Sequence, residues 1–312
     1  MSPANLPHYS VRLRLCIPDA TLLIGSTALG FRQVSRSGVS SSRWVENRPS
    51  QRLRGLDLRE LWEYRELAGF LALRDLKVRY KQAVFGVGWA IVQPLATVAV
   101  FTIVFNRLAS ISSEGIPYPV FALAGLSLWT YVSNGVNRAT QSLVGTPALV
   151  TKVYFPRILA VIASVVPATV DLLISLALLG LLIPVYGATL SVAAVTLPIW
   201  LIGATATAIG VGVIFGTLNV SYRDVNQGIA FFIQLWFFLS PVVYSSSSVP
   251  DTWRALYSLN PMVGWIDGLR WAVLAAPWPG PRLLISVLST LAVCALGVAY
   301  FQSAERRFAD VI

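Results

Sequence analysis

The sequence predicts an all-α integral membrane protein. It has six transmembrane helices, an N-terminal amphipathic helix at the membrane interface, and two short re-entrant external helices between spans five and six. Three observations carry this prediction. The 312-residue chain is 55% hydrophobic and 12% charged, with a mean hydropathy of +0.67, whereas a soluble domain is about 25% charged. The apolar residues gather into long runs beyond residue 83. The basic residues gather before them: 14 of the 24 Lys and Arg lie in residues 1–81, against seven of the 14 acids. A basic end beside a membrane faces anionic headgroups on the cytoplasmic side. Nucleic acid is the other partner of such charge, but no nucleic-acid motif accompanies it.

Residues 1–56 are rich in Ser, Arg and Gly, with one apolar patch at 20–31. The patch falls short of the roughly 20 residues a span needs, and no small-residue cleavage site follows it. The segment reads as a poorly ordered cytoplasmic extension, with a misassigned start codon as the alternative.

Residues 57–83 read as the interfacial helix. Asp57 is placed to cap it, with Glu60 at the third position as in a capping box. Leu58, Leu61, Tyr64, Leu67, Ala68 and Leu71 share one face, and Arg59, Glu60, Glu63 and Glu66 the other. The helix ends in a basic run, Arg74, Lys77, Arg79 and Lys81, before the first apolar segment. A surface helix on a soluble core is the alternative, but the composition leaves no such core.

Residues 84–312 hold the six spans, at about 84–105, 118–136, 158–186, 190–220, 226–244 and 283–301. The third and fourth exceed the bilayer minimum and are expected to tilt or project. The fourth is dense in Gly and Ala from Gly203 to Gly216. With the N-terminus inside, 20 of the 24 Lys and Arg fall on the cytoplasmic side, as the positive-inside rule requires. Both termini are then cytoplasmic. Residues 249–281 carry five Trp or Tyr and five Pro, and their apolar pieces are too short to cross. Two short helices, at 252–259 and 262–275, dipping into the outer leaflet are expected, with a plain aromatic belt as the alternative.

Catalysis finds no support. There is no phosphate-binding loop, metal cluster, nucleophile triad or pair of intramembrane acids. Cys16 and Cys294 lack metal or disulfide spacing, and His8 is the lone histidine. Energy from ATP would have to come through another polypeptide. Asp171 is the one acid deep in a span. It fits either contact with substrate or a gating partner, or a structural bond between helices. Trp129 and Tyr131 are channel candidates, since aromatic rings stack on sugars, with interhelical packing as the alternative. The loop between spans two and three ends in Lys152, Val153, Tyr154, Phe155, Pro156 and Arg157. Aromatic rings beside cations there suit a docking knob or an interfacial anchor.

Five runs add a resemblance. RDLKVRYKQAVFGVGWAIVQPL at 74–95, VTKVYFPR at 150–157, SYRDV at 221–225, SPVVYSSSSVP at 240–250 and LNPM at 259–262 resemble, in that order, motifs of the polysaccharide-exporting ABC-2 permeases. These are the transmembrane subunits of O-antigen, capsule and teichoic-acid ABC transporters. The resemblance covers residues 57–312. Two features depart from it: the long N-terminus, and Ala83 where Ser or Thr is usual.

The resemblance implies a homodimer in the bacterial cytoplasmic membrane with two copies of a separate ABC ATPase. That partner holds ATP and Mg, and this chain binds no cofactor. Lys152 to Arg157 and the surface helix would dock on the ATPase. The cargo would be a lipid-linked glycan or a teichoic acid polymer, entering where Arg74, Lys77, Arg79 and Lys81 meet lipid phosphates. Pro241, Asn260 and Pro261 would belong to an external gate. An ABC-2 permease for a drug or small lipid shares the topology. An ion-driven carrier predicts coupling acids and an internal repeat, and a membrane-embedded enzyme predicts clustered acids or histidines. The sequence has neither pattern.

Overall fold

The computed structural model describes residues 62–81, 88–108, 113–144, 156–222 and 224–311, all within the compact unit Ser50–Ile312. The extension 1–56, the helix start at Asp57 and the loop tip at Lys152–Phe155 lie outside the described residues. Those described contain helices and no strand. The helices are α1 (Arg65–Lys81), α2 (Gly88–Phe101), α3 (Tyr118–Ser142), α4 (Ile158–Val185), α5 (Leu197–Ser221), α6 (Val225–Phe238), α7 (Asp251–Tyr257), α8 (Pro261–Leu274) and α9 (Leu283–Val311). A π-helical turn, Thr102–Leu108, extends α2. Short 3₁₀ turns precede α5 and α9.

Four helical stretches among the described residues are long and apolar enough to cross a membrane: Gly88–Phe105, Ile158–Val185, Val192–Ser221 and Gly280–Ala304. Two further predicted spans are helical but differ from these. Helix α6 is apolar but has 14 residues. Helix α3 has 25, but Thr130, Ser133, Asn134 and Asn137 dilute its apolar character. Its position explains this. Eighteen of its residues are buried, and it packs against α2, α4, α5, α6 and α8. A helix surrounded by protein meets little lipid, so it tolerates polar groups that find partners.

Small residues let the bundle close around α3. A Cβ on Gly212 would lie 2.4 Å from the Ala139 Cβ, and one on Gly216 would lie 3.0 Å from the Ala139 carbonyl oxygen. This i, i+4 pair lets α5 approach α3 closely, the small-residue packing common between helices in membranes. Polar bonds tie the same helices together. Asn219 donates its side-chain amide to the Thr140 carbonyl at 3.0 Å. The Trp265 indole N–H lies 3.0 Å from the hydroxyls of both Thr207 and Thr290, joining α8 to α5 and α9.

Helix α1 runs along the first half of α4. Tyr64, Leu67 and Ala68 lie against Leu159 and Ala160, and fifteen residues beyond Tyr64 Arg79 reaches Asp171 in the same helix. The face predicted to be apolar is therefore the one that packs. The opposite side is not purely polar: Trp62, Phe70 and Leu73 are 57–69% exposed. An unpacked apolar side next to charged neighbours suits a helix that meets lipid as well as protein.

The two predicted short helices before α9 are present as α7 and α8. Proline sets both starts, with Pro250 preceding α7 and Pro261 opening α8, and Ala275 in the left-handed region ends α8.

Candidate functional site

Two clusters of polar side chains lie at opposite ends of α3. The first joins the start of α3, the turn 240–249, α7 and α8. Asn260 caps α8 by accepting from the Met262 N–H at 3.1 Å. Its carbonyl oxygen also accepts from the Trp236 indole at 2.9 Å. Its amide donates to the Leu239 carbonyl at 2.8 Å and the Ser240 hydroxyl at 2.9 Å. One residue thus fastens the end of α6 to the start of α8. Pro261, at the first position of α8, is buried beside it.

Arg270 organises this end. Its side chain is 2% exposed. It donates to the carbonyls of Pro241 and Val242 at 2.7 Å each, and to those of Tyr244 at 3.3 Å and Phe121 at 3.4 Å. The guanidinium carbon lies 3.6 Å from the centre of the Phe121 ring, within cation–π range. Asp267, one turn earlier, lies 3.9 Å away. A buried cation is tolerated where its donors are satisfied, and this one is met by carbonyls that the turn presents. Gly125 leaves the room: a Cβ there would lie 2.3 Å from the Val242 oxygen and 2.6 Å from the Arg270 guanidinium. The Tyr118 hydroxyl donates to the Val243 carbonyl at 2.9 Å, and Ser245 donates to Glu114. The hydroxyls of Tyr244 and Tyr257 pair at 2.8 Å.

Of the residues named from sequence, Pro241 accepts from Arg270, Asn260 ties α6 to α8, and Pro261 opens α8 beside it. Arg270 and Asp267 were missed. A lone Arg in an aromatic-rich external segment reads as a solvated cation. The available signal was its setting between Leu269 and Trp271, with an acid at i−3. Burial pushes the Asp267 carboxyl up to about 6, while the Arg270 charge and a Ser246 hydrogen bond pull it down. Burial also lowers Arg270 to about 10, with Asp267 opposing.

The second cluster is at the α1 end. Arg74 forks onto its neighbour Asp75 at 2.9 and 3.0 Å. Arg79 pairs with Asp171 at 2.5 Å, joining two residues that sequence reasoning had given separate roles. Lys77 is exposed, and the Lys81 side chain lies outside the described residues. A cleft of about 210 Å³ opens between α1, α3 and α4, lined by Arg74, Asp75, Arg138, Gln141, Ser142 and Ser164 among others. Of the docking residues, Pro156 and Arg157 lead into α4, half-buried.

The channel candidates all meet partners inside the chain. Trp129 packs edge-on against Trp236 at 5.4 Å and Phe237 at 5.7 Å. The Tyr131 hydroxyl shares a 2.7 Å hydrogen bond with that of Thr205. Asp171 holds Arg79. Exposed rings include Trp89, Phe231, Phe238, Trp253 and Trp278. No group of three or more His, Cys, Asp or Glu among the described residues is placed to hold a metal.

Residues 67–274 match the family of ABC-2 type transporters. Among curated relatives, the O-antigen export system permease protein RfbA of Myxococcus xanthus is 28% identical over 260 residues, covering 82% of this chain and 98% of the relative. A protein of the same name from Klebsiella pneumoniae is 27% identical over 240 residues, covering 77% and 92%. The polysialic acid transport protein KpsM of Escherichia coli is 23% identical over 240 residues, covering 75% and 92%.

Proposed function

Because the chain belongs to the ABC-2 type transporter family, we propose that it is the membrane subunit of an ATP-driven exporter that moves a lipid-linked polysaccharide across the bacterial cytoplasmic membrane. The observation that carries this reading is the near-complete coverage of permeases named for O-antigen and polysialic acid, 92–98% of their length. A separate ABC ATPase, in two copies, binds ATP and Mg and supplies the energy. The permease acts as a homodimer with both termini cytoplasmic, and 84–312 is its six-span domain behind the 57–83 interfacial helix.

In this reading α3 and α6 cross alongside the four longer apolar stretches. The interior position of α3 supports this by accounting for its polar residues. The Arg270 network is the external gate: Pro241, Asn260 and Pro261 sit where α6, the turn and α8 must separate for the gate to open. Helices α7 and α8 re-enter the outer leaflet. Arg74, Lys77, Arg79 and Lys81 form the cytoplasmic entrance for lipid phosphates. Lys152 to Arg157 dock on the ATPase, and closure of that partner pushes on α4 through Pro156 and Arg157.

Affinity purification of the chain from its native membranes, with mass spectrometry of the bound proteins, tests the class. A stoichiometric ABC ATPase is expected, as is accumulation of a lipid-linked glycan when the gene is deleted. Recovery of the chain alone, under conditions that preserve other ABC exporters, overturns the reading.

A further inference from the structure

One face of α3 is half open, and every residue on it is polar. From Phe121 to Trp129 the helix is buried throughout. Beyond that, the residues that are not buried are Thr130, Asn134, Asn137, Arg138, Gln141 and Ser142. Their spacing puts them along one side of the helix. A side that met lipid would carry apolar residues, as α4 does at its exposed Leu173 and Leu181.

Four of these side chains, Thr130, Asn134, Asn137 and Gln141, have no hydrogen-bond partner among the described residues. An amide carries two donors and an accepting oxygen. Left unpaired against hydrocarbon such groups are costly, and in a span they face the bundle interior or a water-filled cavity. The helix cannot turn to hide them. Gly135, beside Asn134, is wedged so that a Cβ would lie 3.2 Å from Ala208 of α5 and 3.3 Å from Val165 of α4. Thr140 accepts from Asn219 at 3.0 Å.

The open face is closed at one end. Ser127 and Leu123, three and seven residues before Thr130, continue the same side of the helix. Both are buried, and the Ser127 hydroxyl is spent on the Leu123 carbonyl at 2.7 Å. At the other end Gln141 borders the cleft of about 210 Å³ between α1, α3 and α4. Thr130 to Gln141 covers about 16 Å of helix, roughly half the hydrocarbon thickness.

We propose that Thr130, Asn134, Asn137 and Gln141 line a water-filled vestibule that opens at the α1 end of the bundle, and that its amides hydrogen-bond the hydroxyl groups of the entering glycan. The vestibule stands without the export reading, while the glycan contact rests on it. A neutral amide can donate to one hydroxyl and accept from the next. It carries no charge that would hold a passing chain too tightly to release it.

The test uses the full-length chain, with Cys16 and Cys294 changed to Ser, in inside-out vesicles of its native membrane. Thr130→Cys, Asn134→Cys and Asn137→Cys are each expected to react with a charged, impermeant methanethiosulfonate, because the thiolate that attacks it forms in water and not in lipid. Leu173→Cys is the lipid-facing control and is expected to stay unmodified. Thiols as unreactive as that control overturn the vestibule, and their cross-linking between two copies on mild oxidation would assign the face to an interface instead. In cells, Asn134→Leu at an unchanged membrane level is expected to cut surface glycan about fivefold, the scale of one lost hydrogen bond. Asn134→Gln, which keeps the amide, is expected to restore most of it. Reactive thiols with export unmoved by Asn134→Leu overturn the glycan contact alone. Absence of a co-purifying ATPase would sink the export reading and leave the thiol result standing.

Discussion

Arg270 holds together three segments that are distant in sequence, and it does so by hydrogen bonds to backbone carbonyls. Arg270→Met leaves the carbonyls of Pro241 and Val242 without their 2.7 Å donors. Losing one side of such a buried charged arrangement costs about 3 kcal/mol or more, to be read as a lowered thermal midpoint in detergent. Arg270→Lys restores the charge without the fork, and is expected to recover only part of the loss. Asn260 and its neighbour Pro261 were legible in the sequence through the LNPM run at 259–262, one of the runs that carry the family resemblance. Arg270 was not, because its partners are main-chain oxygens, which leave no mark in side-chain patterns. Asp267 adds a pH dependence. Its carboxyl, held up at about 6, stays protonated in the folded chain where an ordinary Asp, near 3.9, has ionised. The stability this proton contributes is full below about pH 4 and is lost as pH rises through about 6. Asp267→Asn removes that dependence. The stability difference between variant and wild type should therefore shift in favour of the variant from pH 4 to pH 7, and a flat difference would refute the assignment.

At the scale of elements, close helix approach depends on a few glycines and is indifferent to others. Gly125→Ala drives a Cβ into the Val242 oxygen and the Arg270 guanidinium, whereas a Cβ on Gly228 meets nothing within 4 Å. Gly125→Ala is expected to lower the thermal midpoint clearly and to disturb the Arg270 network, while Gly228→Ala changes little or stabilises α6 slightly. Equal effects would mean that the approach of α3 to the 240–244 turn is not tight. The small-residue run of α5 was visible in the sequence. Which glycine meets which helix was not, because the run offers small residues on more than one face: Gly212 and Gly216 take α3 while Gly210 takes Cys294 of α9. Helix α1 shows the same limit. Its periodicity gave the face that packs on α4, yet Arg79 could not be matched to Asp171 from sequence, since neither residue's local pattern points to the other.

For the whole molecule, the charge asymmetry and the six apolar runs were legible because lipid and headgroups act on every residue of a span alike. The number of crossings turns on two helices that the same grounds treat differently. Helix α3 is polar enough, and α6 short enough, that counting only long apolar helices gives four. The two counts assign opposite sides to the same loops. With the N-terminus cytoplasmic, six spans put the segment before α5 outside and the segment after it inside. If only the four long stretches crossed, both assignments would reverse. Val192, 92% exposed before α5, and Tyr222, 64% exposed after it, report on those segments. In a chain with Cys16 and Cys294 changed to Ser, Val192→Cys is expected to react with an impermeant maleimide added to intact spheroplasts, and Tyr222→Cys only after permeabilisation. The reverse pattern would leave α3 and α6 uncrossed and move Arg138 to the outer side. It would also put the start of α4 on the side opposite α1, which precedes the first crossing, against the packing of Tyr64, Leu67 and Ala68 on Leu159 and Ala160, so the labelling result tests the seat of α1 as well.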